Sequence, residues 1–146
     1  MAKENIENLV KQVQAKGKSW IQAEKGLPEE AIIWAEKFAE PLATGASGKY
    51  GMKTNQIRKF FGEIKKIQAK GFESDNLAFR MLKPQLAYAA ARDKNKQGKV
   101  KSTIGFYEQA LSSLISSEVV NNAKQFSNFV HLNQAIVAYH KKYSKE

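Results

Sequence analysis

The sequence has no cysteine, which excludes disulfides, zinc–thiolate sites, iron–sulfur clusters and cysteine nucleophiles. Aspartate occurs only at Asp75 and Asp93, and histidine only at His131 and His140. The two histidines are nine residues apart, about 180° around a helix, so they cannot form an i, i+4 metal pair. We interpret them as surface or partly buried helix residues and predict no metal site.

The sequence also lacks the motifs of the common enzyme classes. It contains no G-x-x-x-x-G-K-[ST], no G-x-G-x-x-G and no G-x-S-x-G, so nucleotide hydrolysis and α/β-hydrolase chemistry lack their usual residues. Glu29 and Glu30 follow Pro28, and we interpret them as residues of a first helical turn, where negative charge favours the helix dipole. We therefore predict no catalytic activity and no cofactor.

Long apolar runs are missing as well. Nothing approaches the roughly 18 consecutive apolar residues of a membrane span, and Met1–Val10 lacks the apolar core of a signal peptide. We expect a cytoplasmic protein without a membrane partner. The 146 residues, 42% of them hydrophobic and 26% charged, match the size and composition of one globular domain.

Negative charge is scarce in the middle of the chain. Residues 51–101 hold thirteen lysines and arginines against four acids, whereas residues 1–50 hold seven lysines against seven glutamates. Most of the net charge of +10 therefore lies in about a third of the sequence. This distribution favours a polyanionic partner, nucleic acid first, over the alternative of a generally basic surface.

Every periodic segment has helical spacing, which predicts an all-α fold, a helical bundle of about five helices. Residues 1–27, interrupted by Gly17 and Gly26, are interpreted as an N-terminal arm. Residues 28–146 are predicted to form a single bundle domain. Residues 43–53 contain three glycines and no periodicity, so we expect a flexible connection there.

Two predicted helices carry the basic middle of the chain. The first runs from Thr54 to about Lys70, and the second ends at about Arg92. Pro84 lies inside the second helix and is expected to kink it. A basic loop, 93–101, follows. The residues of the second helix predicted to face inward are Leu77, Met81, Leu82, Leu86 and Ala89.

The basic side chains of these helices are candidates for phosphate contacts. Consecutive antiparallel helices would merge them into one ridge that matches the regular charge of a nucleic-acid backbone. The alternative for any lysine is a solvated side chain whose stem covers apolar surface, whereas a guanidinium can bind phosphate at two points. The predicted RNA-binding residues are Arg58, Lys59, Lys65, Lys66, Arg80, Lys83, Arg92 and Lys94, with Lys70, Lys96, Lys99 and Lys101 in the same clusters.

Three stretches, in this order, resemble one family. The first is T-N-Q-I-R-K-F-F-G-E-I-K at 54–65, which resembles T-x-x-[IL]-R-x-[FL]. The second is L-K-P-Q-L-A-Y-A-A-A-R at 82–92, which resembles L-[KR]-P-x-L-A-Y-x-x-x-R. The third is F-S-N-F-V-H-L-N-Q-A-I-V-A-Y-H-K at 126–141, which resembles F-x-x-F…E-A-I-V-A-Y-[HK]-K, with Gln134 at the usually acidic position. Together they resemble the small helical subunit of the type III-A CRISPR effector, the Csm complex.

The resemblance implies an all-helical, non-catalytic subunit present in more than one copy. Such copies stack along a helical ribonucleoprotein beside larger backbone subunits and contact guide RNA and target RNA, so self-association in a stacked filament or a dimer is expected. Arg58, Lys83 and Arg92 fall on basic motif positions and are implied RNA or assembly contacts. Three aromatic residues also match motif positions and are interpreted as bundle core: Tyr88, Phe129 and Tyr139.

Two alternatives stay open. The chain could be the small subunit of the related type III-B complex, which is also a basic helical bundle. It could instead be a stand-alone helix-turn-helix DNA-binding regulator, which would need a short recognition helix that presents base-reading side chains at its start. The long, lysine-rich helix at 54–70 favours phosphate contact over base readout.

Overall fold

The chain folds into α-helices joined by short loops. The computed structural model describes residues 5–94, 97–98 and 101–145. No strand occurs in these residues, and the all-α prediction is confirmed. Helix α4 contains Pro84, and the kink expected there stays a prediction. The helices are α1 (Ile6–Ile21), α2 (Glu29–Thr44), α3 (Thr54–Lys70), α4 (Asn76–Arg92), α5 (Ile104–Ser112) and α6 (Ala123–Tyr143), with a 3₁₀ turn at Phe72–Ser74 between α3 and α4.

Helices α4 and α6 begin at side chains of the type that caps helices. Asp75 Oδ1 accepts a hydrogen bond from the backbone N–H of Ala78 at 3.3 Å. Asn122 Oδ1 accepts one from the N–H of Gln125 at 2.8 Å. Each bond satisfies a donor that the first turn of a helix would otherwise leave unpaired, which fixes where these helices start.

Helix α6 is the central element and packs against α1, α2 and α3. Its Phe129 is fully buried, with its ring centroid 5.3 Å from that of Phe79 in α4 and 6.1 Å from that of Phe126. The prediction of Phe129 as core is confirmed. This aromatic cluster holds the start of α4 against α6.

Helix α1 packs against α2 and α5, and Leu9 and Trp20 belong to the same hydrophobic core as the other helices. The helix continues through Gly17, where the sequence predicted a break. A Cβ at this position would lie 2.5 Å from Leu114 Cδ2, so glycine permits the close approach of Leu114. The division of the chain into an arm and a domain at residue 28 stays a prediction.

The glycine-rich segment after α2, expected to be a flexible connection, is hydrogen-bonded on both sides. The N–H of Tyr50 donates to the carbonyl of Lys101 at 3.0 Å, and the N–H of Thr103 donates to the carbonyl of Tyr50 at 2.8 Å. Met52 is buried, and its N–H donates to the carbonyl of Leu42 at 2.8 Å. The segment therefore joins α2 to the start of α5 instead of separating two parts of the chain.

Helix α4 buries part of the predicted face, including Leu82 and Leu86, together with Phe79, which was not predicted to face inward. Phe79, Leu82 and Leu86 are buried, whereas Leu77 and Met81 are 58% and 46% exposed. Apolar residues occur around much of this helix, so their spacing fits more than one inward face. The packing of Phe79 among the aromatic rings of α6 and of the 3₁₀ turn decides which face is buried.

Candidate nucleic-acid interface

Helices α3 and α4 enclose a groove at the surface. The N-terminal half of α3 lies beside the C-terminal half of α4, so Lys59 and Arg92 line the same groove. The groove has a volume of about 240 Å³. Polar and aromatic side chains form its rim: Gln56, Lys59, Glu63, Gln85, Tyr88 and Arg92. Apolar side chains form its floor: Met52, Phe60, Leu86, Ala89 and Ile104. We call this site the α3–α4 groove.

Two shallower depressions adjoin the groove. One, of about 370 Å³, shares Lys59 and Arg92 with it and adds Asn55. The other is more open and lies at the start of α3, where Arg58 and Lys59 line it together with Asn55, Lys53, Thr54 and Lys141. Lys59 therefore lies where the three concave surfaces meet, and its ammonium group contributes charge to each.

The four predicted residues of α3 lie on two faces. At about 100° per residue, positions seven apart nearly coincide, so Lys59 and Lys66 share the flank that faces α4. Arg58 and Lys65 share the face that points away from the core. Lys66 lines a depression farther along the two helices, and its ammonium group pairs with Glu63 at 3.3 Å. On this flank, Lys59 has no carboxylate partner among the described residues, whereas Lys66 has one.

The predicted residues of α4 are divided in the same way. Lys83 and Arg92 are nine residues apart, which places them about 180° apart around the helix. Arg80 and Lys83 do not line the α3–α4 groove, and Arg80 donates a hydrogen bond to Asn76 Oδ1 at 3.3 Å. Lys94 follows the helix and is exposed. The single ridge expected from the sequence is thus a groove with cations on its rim and further cations on other faces.

Most of these cations face solvent. The side chains of Arg58, Lys59, Lys65, Arg80, Lys83 and Arg92 are exposed, and none makes an ion pair with a carboxylate in the part of the chain that the structure describes. Lys70 differs, because it pairs with Asp75 at 3.6 Å. Two further candidates of the basic loop, Lys96 and Lys99, lie outside the described residues.

Tyr88 is exposed, although the sequence analysis assigned it to the core. Its side chain is 66% exposed at the rim of the groove, and the Arg92 guanidinium lies 5.6 Å from the centre of its ring. That assignment was wrong because the buried face of α4 is set by Phe79, and position 88 lies outside it. Tyr139, assigned to the core on the same grounds, is half-buried and packs against the core.

Asp93 fixes the backbone where α4 ends. Its carboxylate is nearly buried and accepts hydrogen bonds from the N–H of Ser102 at 3.0 Å and from the Ser102 hydroxyl at 2.6 Å. Its carbonyl accepts a third from the N–H of Lys101 at 3.1 Å. The carboxylate nearest to Arg92 in the sequence is therefore bound to the start of α5, which leaves the guanidinium at the rim.

The described residues contain no group of three or more histidines, aspartates and glutamates placed to hold a metal ion. His131 is exposed on α6. His140 is fully buried, whereas a surface or partly buried position was expected, and its Nε2 lies 2.7 Å from the carbonyl oxygen of Met52. The burial of His140 follows from the return of the glycine-rich segment across α6, which sequence spacing does not reveal.

Sequence reasoning did not select three polar groups of the rim and its surroundings: Gln56, Gln85 and Lys141. Gln56 Oε1 accepts a hydrogen bond from the N–H of Lys53 at 2.9 Å and so caps α3. Glutamine carries no charge signal, and Lys141 is far from the basic segment in sequence. The i, i+4 spacing of Tyr88 and Arg92 was the one available signal for an aromatic and a cation on a shared face.

The fold and the groove define a class of protein: a small all-helical protein with a basic groove. No described helix combines the length and the apolar character that a membrane span requires. A family model described as Csm2 Type III-A matches residues 28–146 and identifies the family within this class. The chain belongs to this family, and it is a small structural subunit of the type III-A Csm complex.

The match confirms the resemblance seen in the sequence and favours type III-A over the type III-B and regulator alternatives. It begins at residue 28, where the sequence analysis divides an arm from a bundle. Comparisons with curated proteins and with solved structures give no match.

Proposed function

We propose that the chain is a non-catalytic, RNA-contacting subunit of the type III-A effector that binds the sugar–phosphate backbone of guide and target RNA. One observation carries the proposal: Lys59 and Arg92 face the same groove from two helices, and neither is neutralised by a carboxylate of the described residues. Membership of a CRISPR effector family supplies the context in which RNA is the polyanion.

The arrangement suits a phosphate chain better than a single small anion. Arg58 and Lys59 line the open depression at the start of α3, and Lys59 and Arg92 line the groove next to it. Successive phosphates along a strand would therefore meet successive cations. Contacts of this kind fix the position of the nucleic acid without reading its bases, so we expect weak sequence dependence and strong salt dependence.

We further propose that several copies stack along the RNA and contact other subunits of the effector, in the cytoplasm. Exposed apolar side chains on two helices support protein contacts outside the groove, namely Ile32, Ile33, Leu77 and Met81. Isolated exposed apolar residues are common, but Leu77 and Met81 are four residues apart and share one face of α4, where a contiguous apolar patch favours a protein contact. The remaining predicted residues, Lys65, Arg80 and Lys83, lie on faces that RNA or partner subunits could reach.

Paired triple variants of the full chain test the backbone contact. The first removes Arg58, Lys59 and Arg92 by substitution with alanine. The control removes three exposed lysines of α1 and α6, and so the same charge, with Lys11→Ala, Lys18→Ala and Lys124→Ala. RNA affinity is measured by fluorescence anisotropy across a range of salt concentrations, for the free chain and for the assembled effector.

We expect the first variant to reduce the slope of log affinity against log salt by about 2 to 3, because each lost phosphate contact contributes roughly 0.7 to 0.9. The control should keep the wild-type slope. Equal losses in the two triple variants would overturn the proposal, since general positive charge would then explain the binding.

A further inference from the structure

The α3–α4 groove has an apolar floor that phosphate binding does not require. Phe60, Leu86 and Ile104 lie beneath a rim that carries Lys59 and Arg92. The volume of about 240 Å³ is below the roughly 300–1,000 Å³ of pockets for drug-sized ligands. The groove therefore fits one flat fragment that is apolar on its faces and polar at its edges.

The rim presents a ready stacking surface. The Tyr88 ring is 66% exposed, and the Arg92 guanidinium lies 5.6 Å from its centre. Aromatic rings and guanidinium planes are the groups on which proteins stack unpaired bases. No described helix covers the Tyr88 ring, so it is available for such stacking.

Two amide side chains complete the rim. Gln56 Oε1 is engaged by the N–H of Lys53, which leaves the amide NH₂ of Gln56 as a donor at the groove. Gln85 lies on the opposite helix, and no hydrogen bond of its side chain is formed with the residues that the structure describes. Together they offer donor and acceptor groups to the edge of a base without selecting one base strongly.

The charges along the groove give the bound RNA strand a direction. Glu63 lines the far end of the groove, where its carboxylate disfavours phosphate and Lys66 is already paired with it. Arg58 and Lys59 line the open depression at the other end. Phosphates would therefore lie at the start of α3, and a base attached to them would point into the groove.

From these observations we infer that the α3–α4 groove binds one unpaired nucleobase of RNA, stacked on Tyr88 and Arg92, beside the phosphate contacts. The inference rests on the proposed function and adds a base contact to it. Binding of this kind tolerates any base, because every base has a π-face, so it agrees with weak sequence dependence.

Tyr88 variants test the base contact with two probes. The first probe is a labelled single-stranded RNA of about twelve nucleotides, and the second is an abasic strand with the same sugar–phosphate backbone. The variants are Tyr88→Ala, Tyr88→Phe, which keeps the ring, and Tyr50→Ala, which removes an exposed tyrosine that does not line the groove.

We expect Tyr88→Ala to weaken binding of the base-containing RNA by about five-fold to a hundred-fold, with an unchanged salt slope. Tyr88→Phe and Tyr50→Ala should bind like the wild type. The abasic strand should bind more weakly to the wild type and be insensitive to Tyr88. In addition, 2-aminopurine in the single strand should lose fluorescence on binding to the wild type and to Tyr88→Phe, but not to Tyr88→Ala.

The failures are distinguishable. Salt-dependent RNA binding that Tyr88→Ala leaves intact would overturn the base contact and leave the proposed function standing. Equal weakening of the abasic strand would also overturn it, since Tyr88 would then act by holding Arg92. Loss of effector assembly with unchanged RNA affinity would identify a protein-docking face instead. Absence of salt-dependent RNA binding by the wild type would overturn the proposed function, and the base contact with it.

Discussion

Two lysines near the ends of the chain and three cations in its middle have different partners. At the contact of α1 with α2, Lys16 Nζ lies 2.8 Å from Glu30 Oε1. At the contact of α6 with α2, Lys142 Nζ lies 2.9 Å from Glu36 Oε2. On α3 and α4, by contrast, Arg58, Lys59 and Arg92 face solvent without a carboxylate among the described residues. Basic side chains form ion pairs between helices in the first region, and in the second they can bind an external anion.

The difference has an energetic meaning. Like charges that lie close together destabilise a folded chain through electrostatic repulsion, and a bound anion reduces that repulsion. The surface ion pairs of the first region contribute little each, because water and salt screen them. We conclude that the first region is arranged for stability and the second for a polyanion, and four predictions test this division.

The largest effect is expected from Trp34→Ala in α2. Trp34 is buried, its Nε1–H donates to the carbonyl of Leu9 at 2.8 Å, and its ring stacks on Phe38 at 4.8 Å. Loss of this side chain should lower the free energy of unfolding by about 3–5 kcal/mol, measured by urea denaturation. The neighbouring Ile33→Ala, at a half-exposed position, should change it by less than about 0.5 kcal/mol.

If the two regions are independent, Trp34→Ala should leave the salt slope of RNA binding unchanged at temperatures where the variant is folded. A reduced slope in the folded variant would show that the groove depends on the packing of α2, and the proposed division would be wrong.

The second prediction concerns Asp93, a carboxylate of the basic segment that serves structure. Asp93→Asn weakens two hydrogen bonds to Ser102 and should cost about 1–3 kcal/mol of unfolding free energy. Glu73→Gln, at an exposed position in the same segment, removes the same charge and should cost almost nothing. Chemical denaturation of both variants makes the comparison, and equal stabilities would contradict it.

The third prediction ranks single cations by their place on the two helices. Lys59 lies where the groove and both depressions meet, whereas Lys65 lies on another face of α3. Lys59→Ala should lower the salt slope by about 0.7 to 0.9, the contribution of one phosphate contact. Lys65→Ala should lower it less in the free chain. The same slope for both variants would mean that total charge, not the groove, sets RNA affinity.

The smallest effect is expected at Glu36. The Lys142 ammonium and the Tyr143 hydroxyl donate hydrogen bonds to its carboxylate, and they hold its pKa below the ordinary value of 4.5. Because the pKa of this carboxyl is lower in the folded chain than in the unfolded chain, the ion pair contributes its full stabilisation above the unfolded pKa. The contribution is lost as the pH falls through the folded pKa. Glu36→Gln should therefore have a slightly lower melting temperature than the wild type near neutral pH.

The difference in melting temperature between the wild type and Glu36→Gln should disappear in acid, once the carboxylate of the wild type is protonated. Glu24→Gln, at an exposed position on the loop after α1, serves as the control and should match the wild type throughout. A difference that persists in acid would show that Glu36 acts through packing and not through its charge.

Much of the fold was predictable because it depends on local chemistry. Asp75 and Asn122 begin helices through side chains that bond to backbone only three residues away. On α3 the apolar residues recur at helical spacing along one face, and two of them, Ile57 and Ile64, are buried. On α4 the apolar residues fit more than one face, and there Leu77 was assigned to the wrong side.

The candidate site was predictable in part for the same reason. Net charge is a property of composition, so the basic segment was evident before any helix was placed. The groove was not predictable, because it depends on which end of α3 lies beside which end of α4. Gln85 and Lys141 belong to the site or its surroundings only through that packing.

The amino-acid sequence alone determined that this chain is helical, lacks the motifs of the common enzyme classes, and concentrates positive charge between residues 51 and 101. It did so because periodicity, capping and charge are read from neighbouring residues. The tertiary structure decided which cations share a surface and that Tyr88 is exposed beside Arg92. Those outcomes depend on contacts between residues far apart in the chain, such as the packing of Phe79 against α6, which sequence spacing does not specify.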